Sequence, residues 1–510
     1  MDLSTRASGV LAHLTSLPGP HGIGDLGPAA IRFADWLAAA KQSWWQMLPI
    51  SPLGYTPSPY SASSAFAGNP LLISLELLTQ SGMLSTADTA PLSELPARRV
   101  DYRHVRNLRE KALRKAFAEF STQRNDQTQS RLAEFCQRQQ YWLYDYALYA
   151  ALKHSFSGLP WYRWIPGLRD RHPQVIADVR RELAAEIAYH QFLQFEFDSQ
   201  WSRLLTHCHN RGIGLMGDVP IFVEHDSADV WAHPEIFQLD AHGRLTAVAG
   251  VPPDYFSATG QRWGNPLYRW DVLRDQHYSW WIDRLRITFE RFDAARLDHF
   301  IGFHHCWAIP PQSRTAVTGE WIKGPGADFF RTVQSTLGKL PFVAEDLGLV
   351  TAEVAALRDE FHFPGLRVLQ FAFGYDPTDP DDHPLNYPAR SVIYTGTHDN
   401  DTTVGWFAHT ATDTTRSDAA RAEERRRTLS YLGTDGHEIH WDLIGLAMKS
   451  PANLAMIPIQ DLMGLGSEAR MNRPGTNKGN WEWRFEDTDL QDAISQRLAQ
   501  LTEANGRKPA

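Results

Sequence analysis

Short apolar runs recur along this chain, and amphipathic stretches separate most of them. In order they span residues 9–13, 44–48, 214–218, 294–298, 342–345, 366–371, 392–395 and 455–459. Each is too short for a buried helix and of the right length for a buried strand. Between them lie helical patterns. Over residues 29–40, Ile31, Phe33, Ala34 and Leu37 recur with a period near 3.6. Eight strand-then-helix units predict an α/β fold of the (β/α)₈ TIM-barrel type, with its working groups at the C-terminal strand ends. A doubly wound open sheet is the alternative. It is weakened because no G-x-G-x-x-G follows the first run.

Two intervals are too long for simple connections. Residues 70–190, after the second run, hold charged, amphipathic stretches at 108–120 and 131–156 with no proline. They predict a mainly helical insertion subdomain. Residues 221–274, after the third run, are rich in glycine, proline and aromatics, including Trp231, Tyr255, Phe256, Trp263 and Tyr268. They predict an irregular loop subdomain that covers substrate, since long loops within compact domains are usually functional. The whole chain, 1–510, is read as one catalytic barrel unit carrying these two decorations.

Composition narrows the function. The 510 residues are 43% hydrophobic with a net charge of −9, and the mean hydropathy is −0.38. These values fit a soluble protein with ample core and do not fit a nucleic-acid surface. No run of about 18 apolar residues predicts a membrane span. No basic-then-apolar signal segment is seen. Three scattered cysteines, Cys136, Cys208 and Cys306, suit a reducing, cytoplasmic compartment. His207-Cys208-His209 and His304-His305-Cys306 lack zinc-ligand spacing, so neither a metal nor a cofactor is expected. The 18 tryptophans suit either a large core or sugar binding, because a pyranose packs its apolar face on a flat ring.

The chemistry lies where the strands end. The run Phe292-Asp-Ala-Ala-Arg-Leu-Asp-His299 puts Arg296 and Asp298 on one strand face. A fixed cation beside a carboxylate favours its ionised form. Taken alone, this reads equally as a structural ion pair or as a catalytic carboxylate. Two further runs end in the same way, at Glu345-Asp346 and at His398-Asp399-Asn400. Acids from three parallel strands converge on one pocket, and a pair of carboxylates is the equipment of glycoside chemistry. Asp346 points away from Glu345 along an extended strand and is read as structural, paired with an arginine.

These blocks carry a family resemblance. Arg296-Leu-Asp298-His, Ala344-Glu345-Asp-Leu-Gly and Thr397-His398-Asp399-Asn400 resemble blocks of the α-amylase superfamily. Three further blocks are similar to those of the 4-α-glucanotransferases, also called amylomaltases or disproportionating enzymes, of glycoside hydrolase family 77. They are the long block from Gly250 to Asn265, Ser51 to Tyr60, and Arg470-Met-Asn472-Arg-Pro-Gly475. After Asp218 the chain reads Val-Pro-Ile-Phe-Val, as in the glucanotransferases, where ordinary amylases have Asn-His.

The resemblance implies transfer of α-1,4-glucan segments between maltodextrins by a retaining double displacement. The implied substrates are maltodextrins, maltose and starch- or glycogen-derived glucans. Asp298 would be the nucleophile, Glu345 the acid and base, and Asp399 the group gripping sugar hydroxyls. Arg296, His398, Asp218, Tyr55, Tyr60, Trp263, Asn265, Tyr255 and Asn472 would contact substrate or shape its site. The alternatives are a retaining α-1,4-glucan hydrolase and a catalytically silent glucan-binding protein. The intact acids count against the silent protein.

Overall fold

A computed structural model describes residues 2–122, 126–253, 257–348, 350–374, 383–408, 417–476 and 478–507. Its strands are β1 (Ala7–Leu11), β2 (Trp44–Gln46), β3 (Gly214–Pro220), β4 (Val248–Val251), β5 (Gln261–Pro266), β6 (Ala294–Asp298), β7 (His305–Ile309), β8 (Glu320–Lys323), β9 (Phe342–Ala344), β10 (Gly365–Val368), β11 (Ser391–Tyr394) and β12 (Leu454–Pro458). Eight of them close a barrel in the order β1-β2-β3-β6-β9-β10-β11-β12, parallel throughout. These are the eight apolar runs. A strand of a parallel barrel is buried on both faces, so it reads as a short continuous apolar run.

Alternation assigns the two faces. Leu11, Trp44, Met216, Ala294, Val343, Leu366, Val392 and Met456 form one buried cluster that fills the barrel. Their chain neighbours Val10, Trp45, Leu215, Ile393 and Ile457 belong to a separate cluster shared with the surrounding helices. Gly9 makes room for this filling: a Cβ there would lie 2.6 Å from that of Trp44 and 3.0 Å from the Met456 methyl. Towards the C-terminal mouth the inward positions turn polar. The Tyr394 hydroxyl donates to Gln46 at 2.8 Å, and Arg296 and Asp218 lie at the next level. The barrel thus passes from a hydrocarbon plug to a charged rim within two residues per strand.

The helices depart from the sequence reading in three places. The stretch 131–156 is two helices, Asp126–Arg138 and Gln140–Ser155. Between them Gln139 leaves helical geometry, and its side chain accepts from Trp142 Nε1 at 2.7 Å. Residue 190 is not a boundary, because helix Ala184–Asn210 runs through it to β3. The run 366–371 is strand only to Val368, and Leu369–Ala372 turns into a short helix.

The segment 221–274 is not wholly irregular. It supplies β4 and β5 to a four-stranded antiparallel sheet of order β5-β4-β7-β8, whose other half follows β6. The β4–β5 pairing carries a register shift between Val248 and Gly250. Only the central β4–β7 pairing joins strands distant in the chain, and it is this one that builds a single sheet from two short, separate pairs.

Candidate active site

The strand ends of β3, β6 and β9 bring four ionisable side chains together, Arg296 and Asp218 buried, Asp298 and Glu345 half-buried. Arg296 is its centre. One guanidinium nitrogen donates to both Asp218 oxygens, at 2.9 and 3.0 Å, and to Asp298 at 2.8 Å. The other lies 4.0 Å from Glu345. Arg296 and Asp298 meet because they are two residues apart on one strand face. Asp218 joins them because β3 pairs with β6 in a register that sets Asp218 opposite Arg296.

Glu345 follows the last residue of β9. Its carboxylate accepts from the backbone of His299 at 2.7 Å and of Leu347 at 3.1 Å. His299 adopts a left-handed φ of 49°, which turns the chain sharply after Asp298 and aims that N–H at Glu345. Burial is the largest influence on Glu345. It outweighs the pull of Arg296 and, with the neighbouring Asp298 charge, raises the carboxyl to about 7. A carboxyl that holds its proton near neutrality, beside a second carboxylate, is the environment of a general acid. The imidazole of His299 is pushed down to about 4 by burial and stays neutral.

Asp399 stands apart in character. Its side chain is half exposed. Asn472 Nδ2 donates to it at 2.6 Å, while Arg470 donates to the Asp399 backbone carbonyl at 2.8 Å and to that of Asn472 at 2.7 Å. Asn472 is therefore occupied in holding Asp399. Arg470, not among the candidates from sequence, belongs to the same clamp; its signal was the Arg-Met-Asn-Arg-Pro-Gly block.

His398 stacks on Tyr60 at 5.1 Å, and Trp481 leans on both rings at 5.9 Å. The Tyr60 hydroxyl donates to Asp218 at 2.8 Å, and burial raises it far above the ordinary phenol range. The Asp218 carboxylate has no exposed surface. Read from the sequence as a sugar contact, it accepts here from Arg296 and Tyr60.

The remaining candidates lie farther out. Trp263, on β5, meets the His299 ring edge-on at 4.8 Å and is 38% exposed. Asn265 donates to the Val223 carbonyl at 2.9 Å, so it ties the sheet to the loop after β3. Tyr55 is 90% exposed on the loop that Tyr60 closes. Tyr255, with Phe256, lies outside the described residues. Asp346 turns away as expected, donated to by Arg358 and by the Leu366 backbone, at 2.7 Å for the latter. No group of three or more potential metal ligands occurs among the described residues. Nor does any described helix have the length and apolarity to cross a membrane.

Comparison with known proteins bears on the family and the fold. Residues 12–490 match the family model described as 4-alpha-glucanotransferase. The chain is 47% identical to a 4-alpha-glucanotransferase of Synechocystis sp., with 99% of each chain covered. It is 48% identical to one from Thermus thermophilus, covering 98% of this chain and 99% of the relative. Its fold is similar to that of an amylomaltase from Streptococcus agalactiae in complex with acarbose: TM-score 0.93, 34% identity, 99% of this chain and 100% of the other. With acids gathered at a barrel mouth and a match over nearly its whole length, the chain belongs to the 4-alpha-glucanotransferase family.

Proposed function

We propose that the protein moves α-1,4-glucan segments between maltodextrins through a covalent glycosyl intermediate on Asp298. The observation that carries this reading is the contrast between two neighbouring carboxyls. Asp298 is bonded to the Arg296 guanidinium at 2.8 Å, and Glu345 is raised to about 7 by burial. One group is placed to attack the anomeric carbon. The other holds the proton that the leaving oxygen needs.

In the first step the Asp298 oxygen bonds to the anomeric carbon as the glycosidic C–O bond breaks, and the Glu345 proton passes to the departing oxygen. In the second, Glu345 takes the proton of an incoming 4-hydroxyl, whose oxygen displaces Asp298. Two inversions retain configuration. Asp399 grips hydroxyls of the reacting sugar, held for that purpose by Asn472 and Arg470. Arg296 positions Asp298, and His398 and Tyr60 form a flat wall for the same sugar.

Donors and acceptors are maltodextrins, maltose and starch- or glycogen-derived chains. The amylomaltase of similar fold from Streptococcus agalactiae is described in complex with acarbose, which supports this reading. Three free, buried cysteines suit the cytoplasm. Maltotriose tests the reading. Transfer yields glucose and a ladder of longer oligomers with the total of reducing ends nearly constant. A steady rise in reducing ends indicates the hydrolase instead. Mass spectrometry of the enzyme treated with an activated glucosyl fluoride locates the intermediate, and a label on any residue except Asp298 refutes the assignment.

A further inference from the structure

A groove of about 580 Å³ lies beside the antiparallel sheet, and none of the residues around Asp298, Glu345 or Asp399 lines it. Its walls are the segment carrying Gln238 and Thr246, the start of helix Trp270–Asp275, and the end of β8 at Lys323. That volume falls within the ordinary range of small-molecule sites. The groove lies against β8, the edge strand of the sheet among the described residues.

The lining defines the ligand. Trp270 contributes a half-buried ring packed on Trp281 at 6.3 Å. Around it stand both donors and acceptors: the Gln238 amide, the Thr246 hydroxyl, Arg269, Asp271 and Lys323. Arg269 and Asp271 lie 3.6 Å apart and offset one another's charge. Phosphate or nucleic acid calls for clustered cations. The Gln238 amide nitrogen donates to the Tyr268 carbonyl at 3.3 Å and the Thr246 hydroxyl to the Gln238 carbonyl at 2.9 Å, which leaves the Gln238 side-chain oxygen and the hydroxyl lone pairs as acceptors beside Lys323. An aromatic ring with such groups at its edge and little net charge suits a neutral, polyhydroxylated chain.

The rim extends the same chemistry. Trp321 precedes the lining residue Ile322 and is 46% exposed. The rings of His305 and Trp307 meet it at 4.6 and 5.1 Å, both steeply inclined, and hold it on the open face of the sheet. A chain leaving the groove over the β8 edge meets this ring next. The β5 strand, with Trp263 against His299, is three strand spacings away, roughly 14 Å at ~4.8 Å each. One long ligand can span that distance.

We propose that this groove, with Trp321 at its lip, is a second binding site for a linear α-1,4-glucan, remote from the reacting bond. This rests on the glucanotransferase reading for its choice of ligand. Its effect is to tether long chains beside the cleft, which raises their effective concentration and leaves short oligosaccharides unaffected.

The test uses the whole protein and two substitutions outside the catalytic mouth. Trp321→Ala removes the exposed ring, and Thr246→Arg occludes the groove. Affinity electrophoresis through gels containing soluble amylose measures binding, and transfer kinetics are followed with amylose and with maltotriose. Both variants are expected to bind amylose at least fivefold more weakly and to raise the KM for amylose severalfold, with maltotriose kinetics within twofold of the unmodified protein. Amylose retention within twofold of the unmodified value in either variant overturns the proposal, as does an equal loss on maltotriose. If the unmodified protein transfers nothing, the catalytic reading fails separately, and the gel comparison still decides the groove.

Discussion

The cluster at the ends of β3, β6 and β9 and the clamp around Asp399 are built differently. In the first, Arg296, Asp218, Asp298 and Glu345 stand on strand ends, and their directions follow from strand alternation and register. Arg296 is nearly inaccessible, and burial dominates the behaviour of Glu345. In the second, Asp399 follows β11 on a half-exposed loop. It is steadied from residues more than seventy positions away, Arg470 and Asn472. On the proposed mechanism the difference divides labour. Groups that must hold or lose a proton at a set point need a dry, rigid frame. Groups that grip a changing series of sugar hydroxyls need access to solvent, and loops provide it.

The largest test of this contrast is at the rigid end. Asp298→Asn should lower transfer roughly 10⁴-fold or more, since no partner replaces a lost nucleophile. Glucan binding should survive, as read by electrophoresis in amylose gels. Activity within tenfold of the unmodified protein would move the nucleophile elsewhere.

Glu345→Gln should cost about 10²–10⁴-fold on maltotriose, the usual range for general acid–base groups. It should cost far less in intermediate formation from a glucosyl fluoride, whose leaving group needs no proton. The same residue predicts a pH profile. Its carboxyl, raised to about 7 by burial, carries the proton below that value and loses it above. Donor cleavage from maltotriose should therefore fall as pH rises through about 7, whereas cleavage of the fluoride should not. An alkaline limb that is the same for both donors would separate Glu345 from the leaving-group proton.

At the loop end effects should be smaller. Asn472→Ala removes the exposed hydrogen bond that orients the Asp399 carboxylate, a positioning effect more than a folding one. We expect kcat/KM for maltotriose to drop about 10–100-fold with little change in thermal stability. A large fall in Tm with intact kinetics would make Asn472 a structural strut. The mildest change is Trp263→Ala. The ring is 38% exposed and touches His299 by its edge, so stability should stay within about 0.5 kcal/mol. The partition between sugar and water should still shift severalfold towards hydrolysis, seen as a rise in reducing ends. An unchanged partition would remove β5 from acceptor selection.

The sequence by itself determined the eight barrel strands and the three acids at their ends. Both rest on local rules: burial on both faces makes each strand a short apolar run, and alternation places Arg296 and Asp298 side by side. It also distinguished Asp346 from Glu345, because adjacent strand residues face opposite ways. Tertiary structure alone decided the rest. Asp218 and Asn472 read as sugar contacts from their motifs, yet folding gives them partners distant in the chain, Arg296 with Tyr60 and Asp399 respectively. The segment after β3 read as irregular because its strands are short, their pairing with each other is broken by a register shift, and β4 takes its second partner, β7, from beyond β6. The proton on Glu345 is decided in the same way. Its carboxyl is an ordinary one in the unfolded chain, and only closure of the barrel mouth withdraws it from water and sets it beside Asp298.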